Sequence, residues 1–591
     1  MRVPDPPAFA ITEPPRHLID GEQHPRRYMP PRKKAAPAGP PTMAQLRETL
    51  WKAADKLRGS MDAAQYKDFV LGLIFLKYVS DAFVERREQI RQDVLADGIP
   101  QSRVDEFLDD PDEYSGHGVF WVPKQARWES IAANAKSAGI GELLNAAMDA
   151  VMKKNPPLTG VLPRIFNSES VDQRRLGELV DLLGDARFTG HRATPQPVSP
   201  SAEEDALFAE PAPAAPAEAA TRSARDVLGE VYEYFLEKFA RAEGKRGGEF
   251  YTPASVVKLL VEVLEPYEGR VYDPCCGSGG MFVQAEKFIA EHRGLTHSDD
   301  IAVYGQESNE RTWRLAKMNL AIHGITGDLS SRWDDTFHND RHPDLRADFI
   351  LANPPFNMSD WARTADDQRW RYGTPPAGNA NFAWMQHIIA KLGSRGSAGV
   401  VMANGSMSSK QSGEGEIRAA LVEADLIACM IALPPQLFRT TQIPACLWFF
   451  AKDKGPMGAR RLAERRGETL FIDARNMGTM IDRTERILTE EDLAKIAGTY
   501  HAWRGTASAR EKKLTYEDVP GFCYSATTEE IRTHDHVLTP GRYVGAAEID
   551  TSGDEPINEK IERLTKELFS HFEESARLEK EIRTQMERLD V

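Results

Sequence analysis

Asn353-Pro354-Pro355-Phe356 follows directly on an apolar run, Phe349-Ile350-Leu351-Ala352. An Asn-Pro pair alone marks a turn. At the end of a strand the same residues are equipped for one kind of reaction. An exocyclic amine on a nucleobase is a weak nucleophile, because its lone pair is delocalised into the ring. Two acceptors, the Asn353 side-chain oxygen and the Pro354 carbonyl, can hold both amine hydrogens. They draw the nitrogen toward a tetrahedral shape and free its lone pair to attack a methyl sulfonium. Pro354 and Pro355 stiffen the backbone, so the acceptors are set before the substrate arrives. Phe356 offers a ring face on which an extruded base can stack. Transfer of this kind needs proximity more than a strong base. Methylation of a cytosine ring carbon would instead need a Pro-Cys nucleophile at this place. The chain's only Pro-Cys is Pro274-Cys275.

That pair belongs to a second motif. Arg270–Tyr272 runs into Asp273-Pro274-Cys275-Cys276-Gly277-Ser278-Gly279-Gly280-Met281-Phe282. A carboxylate at a strand's end, a glycine turn and then a helix form a nucleotide site at the carboxyl edge of a sheet, and glycine lets backbone approach a ligand closely. Phe282 stands where a dinucleotide fingerprint needs its third glycine, and no Gly-x-x-x-x-Gly-Lys-Ser/Thr occurs, so NAD and nucleoside triphosphates are disfavoured. A loop without a phosphate cradle suits a cofactor that has an adenosine but no pyrophosphate. The next apolar run, Ile301–Tyr304, leads to Gly305-Gln306-Glu307. A lone Glu is most often a surface carboxylate, but one strand after Asp273 it is placed to accept from ribose hydroxyls.

These motifs need a scaffold. From about Gly247 to Phe522, short apolar runs (Arg270–Tyr272, Ile301–Tyr304, Phe349–Ala352, Gly399–Met402, Leu426–Leu433, Cys446–Phe450) alternate with amphipathic stretches, which predicts a doubly wound α/β sheet. Residues 225–525 are read as this catalytic domain. Residues 1–42 are crowded with Pro and basic residues and are expected to be disordered. Helical spacing begins at Leu46, Leu50, Ala54 and Leu57, and 43–188 reads as a helical domain. Residues 189–224, rich in Pro, Ala, Ser and Glu, read as a flexible linker. A helix follows with Leu228, Val231, Tyr232, Phe235 and Phe239 on one face. In the C-terminal segment, 526–591, Ile557, Ile561, Leu564 and Leu568 fall at alternating four- and three-residue steps, resumed by Leu578, Ile582 and Leu589. That is a coiled-coil seam.

The 591 residues are 41% hydrophobic and 28% charged, ordinary for a globular protein. The longest apolar run, Phe69 to Leu76, is stopped by Lys77 well short of the roughly 18 residues of a membrane span. Five cysteines make no disulfide framework. The chain reads as cytoplasmic, and no metal site is expected. A net charge of −15 is wrong for a protein that grips DNA by bulk charge, so either the chain does not act on nucleic acid or its DNA contact is local and a partner supplies much of the affinity. Trp361, Arg363, Arg369, Trp370, Arg371 and Tyr372 interleave aromatics with arginine, which suits a strand or a flipped base. Packed tryptophans in a solvated loop are the other reading.

Together, Gly248-Glu249-Phe250-Tyr251-Thr252-Pro253, the Asp273–Phe282 loop and Asn353–Phe356 resemble the modification subunit of type I restriction-modification systems, a family of N6-adenine DNA methyltransferases. The resemblance runs from about Met43 to the C-terminus and includes Trp51–Gly59 and Leu538–Val544. It implies a Rossmann-like class I methyltransferase domain with an N-terminal helical domain and a long C-terminal helix. It implies S-adenosyl-L-methionine as cofactor, with Glu249, Phe250, Tyr251, Thr252, Pro253, Ala254, Asp273, Gly277, Ser278, Gly279 and Gly280 around it. Glu307 would hold the ribose and Asp335 the adenine, with neighbouring Asp334 a competitor for that place. The implied partners are DNA, a specificity subunit shared by two modification subunits and reached through the C-terminal helix, and a motor-nuclease subunit. The 1–42 extension and the Thr189–Ala220 stretch depart from the family's usual compact chain, and a chain starting at Met43 is expected to suffice. Two alternatives stay open: an amino-methyltransferase acting on RNA or protein glutamine, and an inactive assembly scaffold.

Overall fold

The computed structural model describes residues 47–48, 51–52, 63–168, 171–185, 224–243, 252–293, 301–438, 444–456, 461–546 and 557–588, all in one unit, Met43–Val591. The 1–42 extension, nearly all of the 189–224 linker, Glu249, Phe250, Tyr251 and Leu589 lie outside the described residues.

The N-terminal part is helical. Its central helix α1 (Ala63–Ala96) is buried on every side from Phe69 to Ser80, as expected of a helix that is apolar all round. Helices α2 (Ile140–Lys154) and α3 (Gln173–Asp185) pack around it. Helix α4 (Ala224–Glu243) adds Val231, Tyr232, Phe235, Leu236 and Phe239 to the same core. Composition placed α4 with the catalytic domain; by packing it belongs to both bodies. Leu315, Met318 and Ile322 of the catalytic body enter this core too. The Tyr78 and Tyr232 hydroxyls donate to the carbonyls of Ile322 and Leu315, at 3.1 and 3.4 Å.

The catalytic body contains helices α5 (Ala254–Leu264), α6 (Gly280–Arg293), α7 (Glu310–His323), α8 (Asn381–Lys391), α9 (Glu414–Glu423) and α10 (Glu490–Arg504). Its strands are β1 (Gly269–Asp273), β2 (Ile301–Gly305), β3 (Gly327–Asp328), β4 (Ala347–Ala352), β5 (Leu392–Ala403), β6 (Ile427–Ala432), β7 (Ala445–Ala451), β8 (Glu468–Asp473) and β11 (Cys523–Thr527). A separate hairpin pairs β9 (Thr479–Met480) with β10 (Arg486–Ile487). The nine-stranded sheet has the order β11-β8-β6-β7-β5-β4-β1-β2-β3. Strands β1 to β5 run parallel to one another, whereas β7 is inserted antiparallel between β5 and β6.

Alternate residues of each strand serve opposite faces. Val271, Phe349 and Leu351 pack with α5, α6, α7 and α10; Tyr272, Ile350 and Ala352 pack with α8 and α9. The strand order reverses between β1 and β4, and that crevice is where open α/β sheets bind ligands.

The body runs past residue 525, where composition suggested a boundary. Strand β11 crosses that point, and Ile531, Leu538, Tyr543 and Val544 are buried against the second face. The Tyr543 ring stacks on Phe471 at 3.9 Å. Helix α11 (Ile557–Arg588) is different: Ile561, Leu564, Leu568, Phe569, Phe572 and Leu578 are all exposed, so its apolar stripe is not folded back onto the chain's own body. Among the described residues no helix is long and apolar enough to cross a membrane.

Candidate active site

Asp273 ends β1 and Asn353 follows the end of β4, so neighbouring strands deliver both to one sheet edge. Thr252 and Pro253 lead into α5, which packs over this edge. The Asn353 Nδ2 donates to Thr252 Oγ1 at 2.8 Å. In that arrangement Oδ1 is left buried with no hydrogen-bond partner.

One cleft collects Thr252, Ala254, Asp273, Gly277, Ser278, Gly280 and Asn353. Gly277 has φ 53° and Gly279 φ 79°, a backbone path that side chains resist. Open space surrounds Gly277 and Gly280 where a Cβ would stand, whereas Gly279 is turned toward Ala316 and Leu320 of α7. Pro253 stands at the start of α5.

Glu307 does not line the closed cleft. Its Oε2 accepts the Gly277 N–H at 3.1 Å, which binds the second-strand acid to the glycine loop, and Oε1 accepts from the Asn309 N–H at 2.8 Å. Asp334 is committed to Arg341 and Asn339, while its backbone N–H donates to the Glu307 carbonyl at 2.9 Å. Asp335 uses one oxygen, Oδ1, to accept from the Phe337 and His338 N–H groups at 2.9 and 2.7 Å. Of the two neighbouring acids, Asp334 is therefore the one spent on an ion pair. Pro354, Pro355 and Phe356 also stand off the closed cleft; Phe356 is half-buried, with its ring 6.5 Å from Phe438.

Asp273 is 2% exposed. Burial pushes its carboxyl up to about 7; the Cys275 N–H, donating to Oδ1 at 3.0 Å, works against that rise, and the Glu307 charge adds to it. Among the described residues no Lys, Arg or His lines the cleft. A buried acid without a cation, open backbone at Gly277 and Gly280 and an orphaned amide oxygen fit a positively charged adenosine cofactor.

The profile of the N-6 DNA methylase family matches residues 223–552, and that of the HsdM N-terminal domain matches residues 46–183. The chain belongs to the N-6 DNA methylase family. The methylase subunit of the type I restriction enzyme HindI from Haemophilus influenzae is 46% identical over 476 residues, 78% of this chain and 98% of that protein. The MjaIX methylase subunit from Methanocaldococcus jannaschii is 37% identical over 550 residues, 90% of this chain and 89% of its own. The crystal structure of a type I restriction-modification methyltransferase subunit from Streptococcus thermophilus shares the fold, with a TM-score of 0.65 at 24% identity over 85% of this chain and 100% of that one. The protein is an S-adenosyl-L-methionine-dependent, adenine-specific DNA methyltransferase. Neither an RNA or protein-amide substrate nor an inactive scaffold is favoured.

Sequence reasoning missed several walls of the methylase's cleft: Glu233 and Leu236 of α4, Gln284 of α6 and Asn319 of α7. Asn319 did carry a signal, a polar residue on the apolar face formed by Trp313, Ala316 and Leu320. Arg369 and Trp370 turn out to be internal. The Arg369 guanidinium donates to the Thr336 and Phe337 carbonyls, both at 3.0 Å, to Asp367 at 2.9 Å and to His387 Nδ1 at 3.1 Å. Burial, with the Arg369 charge beside it, holds His387 down near 3, so it stays neutral. Trp370 is buried with Phe337 and Trp384, and Trp361 packs beside them. Arg363 and Arg371 remain exposed.

Proposed function

We propose that Asn353 is the residue that activates the target amine and that the cleft around Asp273 holds the cofactor. One observation carries this reading: Asn353 Oδ1 is buried and unpartnered while its own Nδ2 is anchored by Thr252. Leaving a buried acceptor unsatisfied costs about 1–3 kcal/mol, and such an atom in a cleft is explained by a donor that the ligand brings. When bound, S-adenosyl-L-methionine supplies an electrophilic methyl on a positively charged sulfur. Asn353 Oδ1 accepts one hydrogen of the adenine N6 amine and the Pro354 carbonyl the other. Neither acceptor is basic enough to keep the proton displaced on methylation, so it leaves to water. Phe356 stacks on the extruded base, which must leave the duplex to reach this depth. Glu307 takes the ribose and Asp335 the adenine of the cofactor; Pro355 keeps the acceptor backbone rigid.

An acidic subunit of this kind acts on DNA in the cytoplasm, held there by other chains. The exposed stripe of α11 supports docking onto helices of a specificity subunit, two modification subunits to one, with a motor-nuclease subunit completing the assembly. The test is Asn353→Ala in the assembled complex. Methyl transfer to duplex DNA should fall by at least about a hundredfold, since removing one preorganised polar group from a reacting centre costs roughly 2.7–4 kcal/mol. Cofactor affinity by calorimetry should stay within about twofold, well under the 1.4 kcal/mol of a decade. Near-normal turnover would sink the assignment.

A further inference from the structure

The closed cleft contains more recognition chemistry than the reaction centre uses. Neither Glu307 nor Asp335, the acids read as the nucleoside end, lines it. Its walls are Asn353 and Asp273 together with Glu233, Gln284 and Asn319. On the reading of this cleft as the S-adenosyl-L-methionine site, on which the present inference rests, the enclosed part takes the cofactor's aliphatic end.

Asn319 is 1% exposed. Its Nδ2 donates to the Ser278 carbonyl at 2.8 Å, and its Oδ1 has no partner. The opposite amide orientation would set Oδ1 against the Ser278 carbonyl, two acceptors face to face, so the bond to Ser278 fixes which atom is left over. The orphan is thus an acceptor, in a cleft whose described walls carry carboxylates and no basic side chain. Glu233 accepts from Lys287 Nζ at 2.7 and 2.9 Å and lies 3.2 Å from His323 Nε2. Burial alone would raise its carboxyl, but His323 and Lys287 overcome that and hold it down to about 2. Lys287 offsets much of that charge, so on this wall of the cleft Asn319 Oδ1 is an unspent acceptor.

We propose that Asn319 Oδ1 seats the α-ammonium of the cofactor's methionine tail, so that Asn319 is a specificity-determining residue of the site. An ammonium brings three donors and no acceptor, which matches walls rich in acceptors.

The test compares calorimetric affinities of the full chain for S-adenosylhomocysteine and for the same molecule lacking its α-amino group. The unsubstituted protein should prefer the amine-bearing ligand by about tenfold or more, the value of one charge-assisted bond. In Asn319→Leu that preference should collapse, the amine-bearing ligand losing far more affinity than the deaminated one. Asn319→Asp keeps an acceptor but sets a second one against the Ser278 carbonyl, so it should retain the preference while binding both ligands more weakly. If Asn319→Leu does not fold, as judged by its melting curve, Asn319→Ser with its withdrawn acceptor is read in the same way. Equal weakening toward both ligands would mean that Asn319 only props the Ser278 loop, and no change toward either would mean that its oxygen meets nothing of the tail. Either result overturns the proposal. Failure of the unsubstituted protein to bind either ligand would instead overturn the cofactor reading of the cleft, and this inference with it.

Discussion

Lowering the pH from 8 to 6 should weaken S-adenosyl-L-methionine binding about tenfold, and the cause is a single carboxyl. Burial, with Glu307 nearby, pushes Asp273 up to about 7, and among the described residues no basic side chain lines the cleft to bring it back. A cationic ligand binds the ionised carboxylate, so below about 7 it must first displace a proton. If the bound carboxyl returns toward its ordinary value, the dissociation constant scales as one plus ten to the power of 7 minus pH. That is about elevenfold at pH 6, about twofold at pH 7 and near unity at pH 8. The sign is opposite for the free fold. There the folded carboxyl has a pKa above its unfolded value, so its contribution to stability is full below the unfolded pKa of about 3.9 and is lost as pH rises through about 7. Calorimetry in two buffers of different ionisation enthalpy counts the protons: about 0.9 released per cofactor at pH 6 and about 0.1 at pH 8. Asp273→Asn should bind more weakly and show neither the slope nor the proton release. A flat affinity between pH 6 and 8, with no proton exchanged, would refute the reasoning.

Three further outcomes are expected. Thr252→Val removes the acceptor that sets the Asn353 amide, and DNA methylation should fall by about tenfold or more from the orphaned Nδ2; Thr252→Ser keeps the hydroxyl and should retain most activity, and equal activity in the two would show that the amide needs no such anchor. Arg369→Lys gives up the fork that holds the Thr336 and Phe337 carbonyls, so the Asp335 turn should loosen. The KM for S-adenosyl-L-methionine should rise by about tenfold, at 1.4 kcal/mol per decade, with kcat less affected, and an unchanged KM would detach that loop from the cofactor. Deleting residues after Thr551 removes α11, whose apolar side chains from Ile561 to Leu578 are exposed. Cofactor affinity and melting temperature should hold while co-purification with the specificity subunit is lost, and undiminished assembly would place the contact elsewhere.

The chain's local patterns announced the reaction centre because its parts are consecutive. A parallel strand buried on both faces is a continuous apolar run, so Tyr272-Asp273 and Ala352-Asn353 mark their own strand ends, and the glycines of 277–280 mark the turn that follows. The strands that carried no such run were invisible. Gly327–Asp328 is two residues long, and Cys523–Thr527 is an edge strand with only Cys523 and Ala526 buried. Glu468–Asp473 hides a three-residue apolar centre between charges. The stripe of α11 was legible for the converse reason: its apolar residues keep a regular period along one exposed helix.

What only the tertiary structure decided is which polar groups are spent and which are left over. By itself the sequence determined that Asn353, Asp273 and Glu307 reach one sheet edge, since strand and turn chemistry act over neighbouring residues. It gave the adenine to Asp335 with Asp334 as a competitor, and it did not separate Arg369 from Arg371. Folding gave Asp334 to Arg341 and buried Arg369 under the Asp335 turn. It also carried Glu233 and Asn319 on separate helices into the cleft. A hydrogen bond takes its energy from distance and burial, and both depend on partners far along the chain, so no local pattern could foretell that Thr252 would claim one side of Asn353 and leave the other free.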